Sequence, residues 1–289
     1  MNSVATMQVS QLWRYPVKSM VGGRVESVEL DHLGIVGDRT WAVRDLERGG
    51  IRGGKKIGSL MRLVARDVED DHVEITLPDG STVRTSDPDV DDRVTASLGH
   101  RVRLERLRPA DDLDHYRRGA PDTDDMMAEL RGMFGREADE PLPDLSVFPP
   151  TVVEFESPPG TYYDAFPLLV MTEAALTALA RALPESNADI RRFRPSIVID
   201  TADDGSDAST PGHPEFDWTG RRATIGSATV EFVVPCPRCV MVTHEISDEV
   251  PADRSVLRHI VRDLGQHVGV YATVVAPGDV TVGDSLTLL

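Results

Sequence analysis

Through the first hundred residues the apolar positions alternate or cluster in short runs, and they predict strands rather than helices. Residues 9–15 and 24–30 are two such runs, with Gly22-Gly23 between them as a turn signal. Residues 40–43 follow a loop over 34–39, residues 72–77 and 81–85 flank the hairpin signal Pro78-Asp79-Gly80, and residues 101–107 read as another strand. From about residue 109 to 150 this pattern gives way to acidic residues, prolines and glycines. A short helix is expected over 122–131, and the rest as a partly mobile insertion or linker.

The second half resumes at 151–156, followed by the loop Ser157-Pro158-Pro159-Gly160. A strand over 168–171 leads to Thr172, a plausible N-cap for a helix running to about residue 183. Residues 195–200 are β-branched and strand-like, 202–214 form a polar, flexible loop, and 224–234 give one or two strands. Residues 240–244 also read as strand, 254–266 as a helix, and 269–275 and 284–288 as closing strands. The expectation is a mostly β protein with a few helices (α+β), since strands and helices do not alternate as in a doubly wound sheet. The composition shift suggests an N-terminal domain over 1–125, an acidic linker or insertion over 126–150, and a second domain over 151–289.

A chain of 289 residues suffices for one large or two ordinary domains. Its 40% hydrophobic and 27% charged residues are those of a soluble globular protein. No secretory signal and no apolar run of about 20 residues is visible, so the expected location is cytoplasmic, with no membrane partner. The net charge of −17 disfavours a nucleic-acid partner, because neutralising phosphates needs a basic surface. It also draws attention to local basic positions: an anionic ligand would need arginines and lysines gathered into a positive pocket.

Those positions occur in a few places. Tyr15-Pro16-Val17-Lys18-Ser19 ends a strand at a turn and offers a cation and a hydroxyl, suited to a phosphate oxygen. Gly37-Asp38-Arg39-Thr40-Trp41 places an arginine between a loop and a strand, or simply a surface Asp–Arg pair. Arg191-Arg192-Phe193-Arg194-Pro195 brings together three like charges that repel unless anions or carboxylates such as Asp189 and Asp164 neutralise them. The two cysteines, Cys236 and Cys239, stand in Cys236-Pro237-Arg238-Cys239. They are too few for a disulfide framework or a four-cysteine iron–sulfur cluster. A thiol redox pair, a zinc site completed by His244 with His259 or His267, an incidental spacing, and a soft ligand to a heavier metal all remain open. The strand-like residues around the motif differ from the helix start that a thioredoxin-like pair occupies.

Tyr-Pro-Val-Lys-Ser, Gly-Asp-Arg-x-Trp, Arg-Phe-Arg-Pro and Cys-x-Arg-Cys, in this order over nearly the whole chain, resemble the MOSC superfamily. The likeness is to members with an N-terminal MOSC β-barrel domain followed by a MOSC domain, a group that includes the mitochondrial amidoxime-reducing component and bacterial relatives. The resemblance implies an N-terminal β-barrel-like domain, a C-terminal MOSC β-barrel, and a molybdenum cofactor (molybdenum–molybdopterin) whose metal is bound by Cys239. It implies cofactor contacts from Lys18, Ser19, Arg39, Thr172, Glu173, Arg192, Arg194 and Arg238, with Asp164 near the pocket as a catalytic candidate beside Cys239; His244, close in sequence to Cys239, is a candidate donor of the proton that the leaving oxygen needs. Cys236 becomes its structural neighbour.

The implied activity is reduction of N-hydroxylated small molecules. Electrons would come from a separate donor, a ferredoxin or flavin reductase, because no flavin, haem or iron–sulfur motif is visible. The alternative is a protein that carries or sulfurates the cofactor; no pyridoxal phosphate domain is seen, and pyridoxal phosphate is not expected. The chain departs from the family at Val242-Thr243-His244-Glu245, where relatives often read Thr-Thr-Val-Asp, and at Arg192, an asparagine in the mitochondrial relatives.

Overall fold

The first strand, Met7–Arg14, closes a barrel built otherwise from the second half of the chain. In the computed structural model, residues 7–68, 71–202, 205 and 207–289 are described. Residues 1–6, part of the stretch read for a secretory signal, and Asp203, Asp204 and Ser206 of the polar loop lie outside them.

Around the barrel, Met7–Arg14 pairs antiparallel with Ile197–Asp200, which runs parallel to Leu168–Thr172. Next come His267–Ala276, Ala228–Pro237, Arg222–Ile225 and Ser285–Leu288, all antiparallel, and the last returns to Met7 and Gln8. These seven strands form a closed ring with no free edge between them. Side chains alternate across each strand, so Leu168 and Val170 point inward with Ile197, Ile199, Val230, Phe232, Val270 and Ala272. Each buried Val, Leu, Ile or Phe side chain among them contributes roughly 1.5–3 kcal/mol. Trp218, from the turn Pro214–Trp218, fills one end of the core against Phe232, ring centroids 5.1 Å apart.

The N-terminal half is also β-rich. Trp41–Asp45 pairs with Val102–Arg106 and Ile51–Arg52, and Val64–Asp67, Val73–Thr76 and Thr82–Arg84 form a meander around the expected hairpin. Its core packs Val43, Leu60, Ile75 and Leu104 against the helix Val90–Leu98, which the strand reading of this region overlooked. The mostly β architecture with a few helices is as expected.

Three elements differ in detail. The run 24–30 splits at Glu26: Gly23–Val25 pairs with the first strand, whereas Ser27–Asp31 joins Gly278–Thr281 and Gly34–Ile35. The expected helix over 122–131 lies at Met126–Phe134, because Asp125 accepts hydrogen bonds from the amides of Met127 and Ala128 and so sets its start. Residues 240–244 are not a strand. Val240–Thr243 is a 3₁₀ turn whose apolar Val242 packs under the helix Arg254–Asp263 with Val256, Leu257 and Ile260. Tertiary burial there overrides β propensity.

Candidate cofactor site

Ala228–Pro237 ends in Pro235-Cys236-Pro237, with irregular pairing at both prolines. Proline has no amide proton to donate, so the ladder stops and the chain turns away from the barrel at Arg238. Cys236 stays buried, and its sulfur accepts a hydrogen bond from Arg238 Nη1 at 3.1 Å. Burial pushes this thiol up, against the pull of Arg238. Arg238 Nη2 donates to the Phe193 carbonyl at 2.8 Å, and its Nε is buried without a partner. Cys239, in extended backbone at the head of the 3₁₀ turn, is half-buried, and its thiol is free.

Cations surround that thiol. Burial would lower the Lys55 ammonium, but Asp164 and the sulfur of Cys239 hold it above its ordinary value. Arg136 lies within electrostatic reach of Cys239, and burial brings it down to about 10. It donates from Nη2 to the Arg238 carbonyl at 3.0 Å and to Gln266 Oε1 at 3.0 Å, which ties the acidic stretch after Met126–Phe134 to the cysteine segment.

Lys18 and Lys55 share one carboxylate. Lys18 Nζ donates to Asp164 Oδ1 at 2.6 Å, to the Tyr162 carbonyl at 2.8 Å and to Ser157 Oγ at 3.2 Å, while Lys55 Nζ lies 2.7 Å from Asp164 Oδ2. Burial would raise the Asp164 carboxyl, but the two ammonium groups hold it well below the usual range. Burial lowers Lys18 despite Asp164. Ser19, at φ +66°, accepts a hydrogen bond from the Gly54 amide at 2.8 Å. The two loops approach so closely that a Cβ on Gly53 would lie 2.8 Å from Ser19 Oγ.

A second basic group surrounds Tyr15. The guanidinium of Arg194 lies 4.2 Å from the ring centroid and that of Arg39 lies 5.4 Å away. Asp38 pairs with Arg39 and accepts from the Tyr15 amide at 2.6 Å. Arg194 donates to the Met20 carbonyl through Nη1, leaving Nη2 buried and unpaired. Burial lowers its pKa to about 10. An unpaired buried donor is unusual in a folded protein and points to a missing acceptor.

Of the residues expected at the site, Lys18, Ser19, Arg39, Asp164, Arg194, Arg238 and Cys239 belong to this neighbourhood. Asp164 is locked as a carboxylate between two lysines, which makes it an anchor for them and a poor proton donor. Thr172 and Glu173 are turned elsewhere. Thr172 alternates with Met171 and so faces the barrel interior, where it donates to Glu215 Oε2 at 2.7 Å and caps the helix Glu173–Ala182. Glu173 accepts from Ser10 Oγ and Gln11 Nε2 at the bulge of the first strand. Arg192 is fully buried and donates to the carbonyls of Asn187, Val242, His244 and Pro251, so its guanidinium is already occupied by backbone. His244 Nε2 lies 2.8 Å from the Gly54 carbonyl, which can only accept, so that nitrogen carries the proton.

The sequence reading passed over Lys55, Arg136 and Tyr271. The Gly53-Gly54-Lys55-Lys56 run was a usable signal for Lys55 in so acidic a chain. Arg136 was hidden inside the acidic stretch. Tyr271 reads only as part of a strand, yet it faces outward beside Cys236 and against Phe166, ring centroids 5.0 Å apart.

A fold with a closed β-barrel and a cysteine-centred basic site defines a class. The family model described as "MOSC domain" matches residues 158–287, and "MOSC N-terminal beta barrel domain" matches residues 6–116. The chain belongs to the MOSC superfamily, in its two-domain form. Among curated proteins it is 26% identical over 248 residues to "Mitochondrial amidoxime reducing component 2" of Bos taurus, covering 81% of this chain and 66% of the bovine protein. It is 38% identical over 82 residues to the Homo sapiens protein of the same name, covering 28% of this chain and 21% of the human one. The chain thus spans just under two thirds of the bovine protein's length. The solved YUAD protein from Bacillus subtilis aligns with a TM-score of 0.45 at 11% identity, over 98% of this chain and 95% of that one. Among the described residues no helix is long and apolar enough to cross a membrane.

Proposed function

We propose that this protein is a molybdenum-cofactor-dependent oxidoreductase that reduces N-hydroxylated small molecules with electrons from a separate donor, a ferredoxin or a flavin reductase. The observation that carries this reading is the free, half-buried thiol of Cys239 amid Lys55, Arg136 and Arg238. The buried, unpaired Nη2 of Arg194 and Nε of Arg238 fit an anionic cofactor bearing a phosphate. A soft thiolate suits a metal already bound by sulfur. The likeness to amidoxime reducing components supports the substrate class.

In this reading Cys239 holds the metal, and Arg39, Arg194 and Arg238 bind the anionic parts of the cofactor. Asp164 keeps Lys55 charged and in place beside the thiol. Ser19, through the Gly54 amide, fixes the loop that presents Lys55. His244 keeps its proton on Nε2, engaged with Gly54, and so orients that same loop rather than acting as a free acid. When bound, the cofactor supplies a redox metal centre able to remove an oxygen atom from the substrate.

Metal and pterin analysis of protein from a cofactor-competent host, followed by turnover of a model amidoxime with a chemical reductant, tests the proposal. Near-stoichiometric molybdenum and turnover that is lost in Cys239→Ser are expected. A protein free of molybdenum overturns the reading. Stoichiometric molybdenum with no reduction of any N-hydroxylated compound turns it towards a cofactor carrier.

A further inference from the structure

Three arginines outside the Cys239 neighbourhood converge on a cleft of about 210 Å³, lined by Arg14, Arg24, Arg66 and Asp67 over the apolar Val25 and Ala65. The cleft lies where the first strand and Gly23–Val25 meet Val64–Asp67 of the N-terminal half, a seam tied by the Ala65 amide donating to the Val21 carbonyl at 2.8 Å. Clefts between structural units are common ligand sites.

The charge there is unbalanced. Arg14 pairs with Asp67 at 2.6 Å, yet its Nε is shielded from solvent and has no partner. Arg24 lies over the Trp13 ring at 5.6 Å, which fixes its guanidinium without using its hydrogen-bond donors. No hydrogen bond or ion pair engages the guanidinium of Arg24 or Arg66 among the described residues. Arg66 lies against the backbone of Gly23, where a Cβ would stand 2.3 Å from its Nη1, so any larger residue there would shift the guanidinium. Three positive charges and one negative charge meet here, on a chain whose net charge is −17. Guanidinium groups lining one cleft repel one another unless an anion joins them.

Planar guanidinium forks match the oxygens of a phosphate and bind it in pairs, which point-like lysines do less well. The apolar floor adds room for a small organic body. We propose that the Arg14–Arg24–Arg66 cleft binds a phosphate group, either free or carried by a small phosphomonoester. It shares no lining residue with the Cys239 neighbourhood and does not depend on the cofactor reading.

Calorimetric titration with inorganic phosphate and with phenyl phosphate, at constant ionic strength, tests the site in three proteins: wild type, Arg24→Gln/Arg66→Gln, and Asp67→Asn. The double variant is expected to lose about tenfold or more in affinity, as fits the loss of charged hydrogen bonds. Asp67→Asn is expected to bind more tightly than wild type, a gain that misfolding cannot mimic. Tighter binding of phenyl phosphate assigns the site to an organic monoester, and equal binding assigns it to free phosphate. Unchanged affinities in both variants, or heats that do not saturate, overturn the proposal. The first result would place any phosphate binding at the Arg39–Arg194 group instead.

Discussion

Arg238 reaches the sulfur of Cys236 at 3.1 Å, while the thiol of Cys239, one residue beyond that arginine, is left free. Two cysteines flanking a shared arginine thus have different environments. One is sealed in the barrel wall beside Tyr271, and the other stands half-open among cations.

Thiol chemistry is expected to follow this difference. Native protein treated with iodoacetamide is expected to be alkylated at Cys239 first, with Cys236 reacting only after unfolding, as peptide mass spectrometry would show. Burial both blocks access to Cys236 and disfavours its thiolate. Equal labelling of both thiols in the folded protein would contradict the asymmetry.

Arg192 is expected to matter for stability. Its guanidinium joins four backbone carbonyls from three segments, and Arg192→Ala leaves those buried acceptors unpaired. A loss of about 3 kcal/mol is expected in denaturant melts. Arg192→Lys is expected to recover little, since an ammonium cannot reproduce the fork. A variant of wild-type stability that only fails to load cofactor would instead return Arg192 to a binding role.

The carboxylate of Asp164 sets an acid limit. Because its folded pKa lies below the ordinary 3.8, its contribution is full above that value and is lost as pH falls through the folded one. Asp164→Asn is expected to be less stable than wild type at neutral pH, with the two melting curves converging in strong acid. A gap that persists unchanged into strong acid would argue against the ion-pair origin.

His244 acts over a milder range. Burial lowers its pKa below the ordinary 6.5, a value the unfolded chain retains. As pH falls the unfolded state takes up this proton first, so stability is complete above about 6.5 and declines below it. His244→Gln, which can still donate to the Gly54 carbonyl, is expected to flatten this slope in thermal melts between pH 7.5 and 5.5, values set on either side of the histidine range. Identical slopes would show that His244 is not neutral and engaged as described.

Alternation and turn residues were enough to read the β-rich architecture, the hairpin at Pro78-Asp79-Gly80 and the Thr172 cap, because strand period and turn chemistry are local properties. Motif order also pointed to the family and to the contrast between Cys236 and Cys239. Only the folded chain decided where the side chains face. A strand's period of two sends Thr172 into the barrel, although the family resemblance implied that it binds cofactor together with Glu173. The splitting of residues 24–30 between two sheets, and the collapse of 240–244 into a 3₁₀ turn, arise from partners far away in sequence. The same holds for Arg192, whose charge in a basic run suggested an anion, whereas three distant carbonyls and that of nearby Asn187 occupy it. Lys55 joins Asp164 and Lys18 only because loops from both halves of the chain meet. Local sequence sets which elements form and which chemistry is available; long-range packing sets which groups are spent on structure and which remain free to bind.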